Sequence, residues 1–179
     1  MTLNHSRRTS GNRAYVRLFI PLLCAALASC YTLRSGGGFP SDIHTIFIQT
    51  FENSTAQFEL DQLLGRKLQE KLPRALGVRV AGEGNADAVV RGTITRYDDV
   101  AQNYRPASGS QTVEVLQHQV QITISIQVID RRKNLLLWES QSLTGRGDYQ
   151  PANQTDTTGR EQALNNLLQQ IIDGAQSQW

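Results

Sequence analysis

The chain has 179 residues, of which 39% are hydrophobic, and its formal net charge at pH 7 is +2. Residues 1–29 hold four arginines and no acidic residue, so the 150 residues after them carry 14 basic and 16 acidic side chains, a net charge near −2. This balance excludes binding to nucleic acid or anionic lipid by bulk charge, and the length suits one domain with its own core.

The N-terminal segment has the pattern of an export signal. Residues 1–17 are basic, residues 18–27 are apolar apart from one proline, and Leu27-Ala28-Ser29-Cys30 is a small-residue box that ends in a thiol. An apolar run of about ten residues is too short to cross a bilayer as a helix. We therefore predict a lipoprotein signal peptide over 1–29, with diacylglycerol and an N-acyl chain attached to Cys30 as a membrane anchor.

The rest of the chain divides into a spacer and a domain. The other cysteine, Cys24, lies within the signal, so we expect no disulfide, no metal site and no cofactor besides the lipid. Residues 30–42 are glycine-rich, which predicts a lipidated N-terminus and a flexible spacer. Residues 43–179 are predicted to form a single α+β domain.

The first half of the domain predicts a strand, a helix and a second strand. Residues 43–49 are rich in β-branched and aromatic side chains, and residues 88–97 alternate between apolar and polar. Between them, Ser54 and Gln57 have the spacing of a capping box, and Pro73 is expected to end the helix. The apolar stripe of this helix is Leu60, Leu63, Leu64, Leu68 and Leu72.

The second half begins with a polar stretch, 98–112, which we expect to be an exposed and mobile connection. Residues 116–128 then alternate strictly between apolar and polar, so a strand with one buried and one wet face is predicted. The turn 131–134 should close a hairpin, because Asn134 tolerates left-handed backbone, and a returning strand begins at Leu135.

A second helix is predicted near the C-terminus, opened by a capping box at Thr158 and Glu161. Its stripe is Leu164, Leu167, Leu168, Ile171, Ile172, Ala175 and Trp179. The fold expected is an α+β two-layer sandwich, with two helices on one face of a roughly four-stranded mixed sheet. The other face is polar, and it contacts either solvent or a partner.

The chain has few residues that are suited to catalysis. After the signal the imidazoles are His44 and His118, both within strand patterns, and we interpret His118 as a satisfied core or edge histidine. No phosphate-binding glycine loop joins a strand to a helix. We therefore predict that the protein is not an enzyme, and a hydrolase acting on envelope polymers is disfavoured.

Several short segments, taken in order, resemble the lipopolysaccharide-assembly lipoproteins, the LptE family. The resemblance covers essentially the whole chain after the signal. Two departures are the missing glycine after the lipidated cysteine and Asn134 in place of the usual hairpin glycine. The segments that carry the resemblance are Cys30-Tyr31-Thr32-Leu33, Ile46-Phe47-Ile48, Thr50-Phe51-Glu52-Asn53-Ser54-Thr55, Ala86-Asp87-Ala88-Val89-Val90-Arg91-Gly92-Thr93-Ile94, Asp130-Arg131-Arg132 and Leu137-Trp138-Glu139.

The resemblance implies an outer-membrane lipoprotein that faces the periplasm and is held by its lipid anchor. It further implies that the domain supports assembly of a large LptD-like β-barrel translocon and aids delivery of lipopolysaccharide to the outer leaflet. An alternative is a lipoprotein adaptor that activates a peptidoglycan synthase. If lipopolysaccharide is bound directly, its phosphates need charge-assisted donors, and the candidates are Arg105, Arg131, Arg132, Lys133 and Arg146.

Overall fold

A computed structural model describes residues 39–106 and 113–177. These residues form a two-layer α+β sandwich, which confirms the predicted class. In chain order the elements are β1 Thr45–Ile48, β2 Glu52–Asn53, α1 Leu60–Leu76, β3 Arg79–Val80, a 3-10 turn Glu83–Asn85, β4 Ala88–Pro106, β5 Val113–Asp130, β6 Leu135–Tyr149 and α2 Asp156–Ser177. The mixed sheet has six strands, two more than expected, in the order β3-β1-β4-β5-β6 with β2 beside β4. The two additional strands, β2 and β3, are two residues long.

Both helices cover one face of the sheet and bury their apolar stripes against it. The strands contribute Ile46, Val90 and Ile94, together with the alternate β5 residues from Val120 to Val128. β1, β2 and β3 run parallel to their neighbours, whereas β4, β5 and β6 form an antiparallel meander. The predicted stripe of the first helix is buried except for Leu63, which is half-buried.

The two ends of α1 differ from the prediction. Asn53 organises the entry: its Oδ1 accepts hydrogen bonds from the backbone N–H and the hydroxyl of Thr55 (3.0 and 2.8 Å), and the helix begins only at Leu60. The capping box at Ser54 and Gln57 is therefore wrong. Pro73 does not end the helix either, since the three residues after it are still helical. The helix ends at Leu76 and is capped by Gly77, whose φ of 71° is left-handed.

The predicted connection 98–112 is wrong over its first part. β4 continues to Pro106 and stays paired with β5, from Ala88 opposite Asp130 to Pro106 opposite Val113. This part of β4 extends past the helices, so both faces of the sheet are exposed to water there. Polar side chains are stable on both faces, and they can form hydrogen bonds across the strands. Asn103 Nδ2, for example, donates to Gln117 Oε1 (2.6 Å). The remainder of the predicted connection lies outside the described residues.

α2 lies directly on β6. It begins at Asp156, before the predicted capping box at Thr158 and Glu161, which is therefore wrong as the helix start. A Cβ placed on Gly145 would stand 2.2 Å from Ala163 O, and one on Gly147 would stand 2.1 Å from Gly159 O. The glycines thus allow close approach of helix and strand. Trp179, the last residue of the predicted stripe, lies outside the described residues.

Candidate functional site

The basic hairpin turn between β5 and β6 is held by Asp130. This carboxylate is 1% exposed, and its Oδ1 accepts the backbone N–H groups of Arg132 (2.8 Å) and Lys133 (3.0 Å). Asn134 takes the left-handed backbone that the sequence predicted, with φ of 50°. The turn therefore has a fixed conformation and projects consecutive basic side chains.

Two of those basic side chains are paired with acidic residues. Lys133 Nζ binds Asp42 Oδ2, and this hydrogen bond lowers the pKa of Asp42 and raises the pKa of Lys133. Arg132 donates to the carbonyl of Asp42, and its Nε lies 3.6 Å from Asp87 Oδ1. The pKa of Asp87 is lowered mainly by the backbone N–H of His44 (2.9 Å). The side chain of Arg131 is exposed and has no ion pair among the described residues.

The five candidate basic residues do not form one site. Arg105 lies in β4 opposite Glu114, not in a loop as expected, whereas the Arg131 turn lies at the other end of the same sheet. At about 3.3 Å per residue, β4 is on the order of 50–60 Å long, so one lipid headgroup cannot reach both ends. Arg146 is exposed near the C-terminal end of β6, opposite Gln121. Cys30 lies outside the described residues.

The sheet face turned away from the helices, here called the open face, carries polar side chains that bond to one another. Thr123 and Thr144 join β5 to β6 through their hydroxyls (3.0 Å). Gln121 Nε2 donates to Gln119 Oε1 (2.8 Å), and Gln119 Nε2 donates to Asp148 Oδ1 (2.9 Å). The predicted polar face is therefore a hydrogen-bonded surface in which uncharged side chains bond to one another and to charged ones such as Asp148.

A groove of about 340 Å³ crosses the open face from the β1–β2 connection to β6. Arg91 lies in it and donates from Nε and Nη2 to Gln127 Oε1 (3.2 and 3.1 Å). Gln127 Nε2 in turn donates to Glu139 Oε2 (3.2 Å). The groove is thus lined by groups that can both donate and accept hydrogen bonds, which suits a polar ligand or a polar polypeptide.

A polar cluster that sequence reasoning missed lies on the helix-facing side, at the end of β6. Asp99 accepts the hydroxyl of Tyr149 (2.7 Å), and its other oxygen lies 2.8 Å from His118 Nδ1. Burial, together with the hydrogen bond to Asp99, raises the pKa of Tyr149 to about 12. His118 is a satisfied histidine, as predicted. The cluster joins residues distant in sequence, and the only local signal was a histidine on an apolar strand face.

In the described part of the chain, no group of three His, Cys, Asp or Glu residues is placed to hold a metal ion. None of its helices is long and apolar enough to cross a membrane.

Three solved structures illustrate what the fold is similar to. A putative neuraminyllactose-binding hemagglutinin homolog from Helicobacter pylori is 11% identical, with 80% of this chain and 88% of that chain covered and a TM-score of 0.48. A lipoprotein from Neisseria meningitidis is 13% identical, with 73% and 96% covered and a TM-score of 0.46. A minor lipoprotein from Acinetobacter baumannii is 18% identical, with 75% and 92% covered and a TM-score of 0.44. Likeness at this level does not extend to function.

The search of curated proteins found no match to this chain. A family model described as lipopolysaccharide-assembly, LptE, matches residues 43–177, which is almost the whole predicted domain. This protein is therefore a member of the lipopolysaccharide-assembly family LptE.

Proposed function

We propose that this protein is an outer-membrane lipoprotein that binds a large LptD-like β-barrel translocon and aids delivery of lipopolysaccharide to the outer leaflet. Family membership supports the assembly role. The lipid on Cys30 would hold the domain at the membrane, facing the periplasm. The protein acts by binding and not by catalysis.

The observation that carries the proposal is the open face. Its side chains bond to one another, as Thr123 and Thr144 do, so the surface needs no partner to be stable in water. The lumen of a large outer-membrane barrel is also polar and wet. The charged groups in the groove of this face, Arg91 and Glu139, already bond to Gln127, so the face can enter a wet lumen without leaving these charges unpaired.

Direct contact with lipopolysaccharide is a second part of the proposal. A phosphate needs donors that are not already engaged, and Arg132 and Lys133 are held by Asp42. Arg131 is therefore the strongest phosphate-binding candidate at the turn. Arg146, which is exposed in β6, would serve as a separate contact at another position along the sheet. Arg105 remains a candidate from the sequence pattern alone.

The test is purification of the tagged full-length protein from its native envelope in mild detergent, followed by mass spectrometry. We expect to recover a large outer-membrane barrel at about one molecule per molecule of the tagged protein. Thr123→Arg, which places a charge in the middle of the open face, should reduce recovery of the barrel at least tenfold. Asn166→Arg, on the exposed side of α2, is the matched control and should leave recovery unchanged.

Other outcomes would contradict the proposal. Recovery of a peptidoglycan synthase in place of the barrel would favour the adaptor function. Equal recovery of the barrel with Thr123→Arg and Asn166→Arg would mean that the open face is not the contact surface.

A further inference from the structure

The outer edge of the sheet is open beside the β1–β2 connection. β3 pairs with β1 only at Thr45 and Ile46, and Ala81 donates to Ile46 O (2.9 Å) where the chain leaves the sheet. Peptide groups alternate in direction along a strand, so the N–H and C=O of Ile48 point outward like those of Ile46. Gln49 points inward and donates to Val90 O (2.9 Å). No described strand lies outside Ile48, so a donor and an acceptor are available there.

Two grooves flank this edge, one on each side of the sheet. The groove across the open face includes Gln49 and Thr50. A second groove, of about 300 Å³, lies on the helix side between the same two residues and α1, where Asp61 and Gln62 line it. Successive side chains of a strand point to opposite faces, so a strand added at this edge would place alternate side chains in the two grooves.

The helix-side groove contains an acceptor without a donor. Asp61 Oδ1 is buried and has no hydrogen-bond partner among the described residues. Leaving such an atom unpaired is unfavourable, and a basic side chain on an incoming strand would supply both the hydrogen bond and the opposite charge. Phe58, three residues earlier, is 87% exposed, and exposed aromatic side chains are frequent anchors at protein interfaces.

The other long edge of the sheet is less suited to strand addition. β6 has register shifts opposite Ile124–Ile126 and Val128–Ile129, and bulges of this kind twist an edge away from a straight partner. It also carries Glu139, Arg146 and Asp148, and charges on an edge oppose pairing. The β1–β2 edge carries no charged side chain between Ile48 and Thr50. Its one register shift, four residues from Ile48 to Glu52 against three from Val90 to Thr93, comes after Ile48.

We propose that an extended segment of the partner protein adds as a strand to the edge at 48–50 and directs a basic side chain to Asp61. The identity of the partner, the barrel translocon, rests on the proposed function. The recognition itself uses backbone hydrogen bonds for affinity and the two grooves for side-chain selection.

The experiment is site-specific photocrosslinking of the full-length protein in its native envelope. Benzoylphenylalanine replaces Gln62 in the helix-side groove or, as the control, Glu70, which is exposed about 12 Å further along α1 and does not line the groove. After irradiation and purification in mild detergent, the joined peptides are sequenced. We expect position 62 to join one discrete barrel segment that contains lysine or arginine, and position 70 to join none.

Two further variants test whether the crosslink from position 62 depends on the sheet edge and on Asp61. Thr50→Pro removes a backbone donor from the edge and should reduce the yield of this crosslink at least tenfold. Asp61→Ala should reduce it several-fold, whereas Glu70→Ala should not change it. The melting temperature of each variant identifies any loss that comes from unfolding, and Asp61→Ala keeps the test valid if Thr50→Pro fails to fold.

The outcomes separate this inference from the proposed function. If the barrel copurifies but position 62 joins nothing, or only residues of its own chain, strand addition is wrong and the proposed function stands. If a segment of a different identified protein is joined, with the same dependence on Thr50 and Asp61, strand addition stands and the barrel is not the partner. If no barrel copurifies and no crosslink forms, both are wrong.

Discussion

The ring of Phe51 occupies the space that a side chain at Gly92 would need. A Cβ placed on Gly92 would stand 2.6 Å from Phe51 Cε1 and 2.2 Å from the backbone oxygen of Ser125. Phe51 is 2% exposed, so it closes the core where the β1–β2 connection runs beside β4. The contact joins two of the segments that carry the family resemblance.

Gly92→Ala is expected to destabilise the protein by about 3 kcal/mol, because the Ser125 backbone cannot move away and overpacking is costly. Thermal or urea unfolding of the purified protein measures the change. Gly84→Ala is the control, since nothing lies within 4 Å of its Cβ position, and it should change stability by less than about 0.5 kcal/mol. Similar stability of the two variants would contradict this account of the core.

The pairing of Asp87 predicts a loss of stability in acid. Its pKa is lowered in the folded protein, chiefly by the backbone N–H of His44, so its contribution is complete above the unfolded value of about 4. That contribution is lost as the pH falls through the lower folded pKa. Unfolding measured between pH 6 and pH 2 should therefore show a shallower acid slope for Asp87→Asn. A slope for Asp87→Asn equal to that of the wild-type protein would contradict the prediction.

The hydroxyl of Tyr149 predicts a loss of stability in alkali. The folded pKa of about 12 lies above the ordinary value of 10, so the folded state retains a proton that the unfolded state releases. Stability should fall as the pH rises from 10 to 12, and Tyr149→Phe should remove this part of the slope. At pH 7 the variant should lose about 1 kcal/mol, because Asp99 loses a donor. An unchanged alkaline slope in Tyr149→Phe would contradict the prediction.

Arg131→Glu is expected to weaken binding of purified lipopolysaccharide at least tenfold without lowering the melting temperature, because Arg131 has no ion pair among the described residues. Arg105→Glu should also weaken binding. Lys71→Glu, exposed on α1, is the control for an equal change of charge. An unchanged affinity in either test variant, measured by fluorescence titration or calorimetry, would remove that arginine from the set of contacts.

Cys30→Ala tests the predicted anchor. The variant should accumulate as an unprocessed precursor and should not incorporate labelled fatty acid, because the thiol that receives the lipid is absent. Gel mobility and metabolic labelling of cells give the result, with Cys24→Ala as the control that should be processed normally. Normal labelling of Cys30→Ala would contradict the lipoprotein prediction.

Sequence periodicity was enough to predict the two helices, the alternating strands and the β5–β6 hairpin. Leu64 and Leu68, for example, are spaced for one helix face, and both are fully buried. The same local reasoning failed at the helix ends. Pro73 and the capping-box spacings at Ser54 and Thr158 are signals whose effect depends on where the surrounding chain is held by other contacts.

Local sequence patterns were therefore sufficient for the α+β class, the core face of each long element and the polar character of the opposite face, because hydrophobic periodicity is a local property. Three features became visible only in the folded chain: the full extent of β4, the contact of Asp42 with Lys133, and the position of Asp99 between His118 and Tyr149. The fold also separates Arg105 from the Arg131 turn by the length of the sheet. The physical reason is that each of these relationships joins residues that are distant in the chain, and a local pattern carries no information about strand pairing.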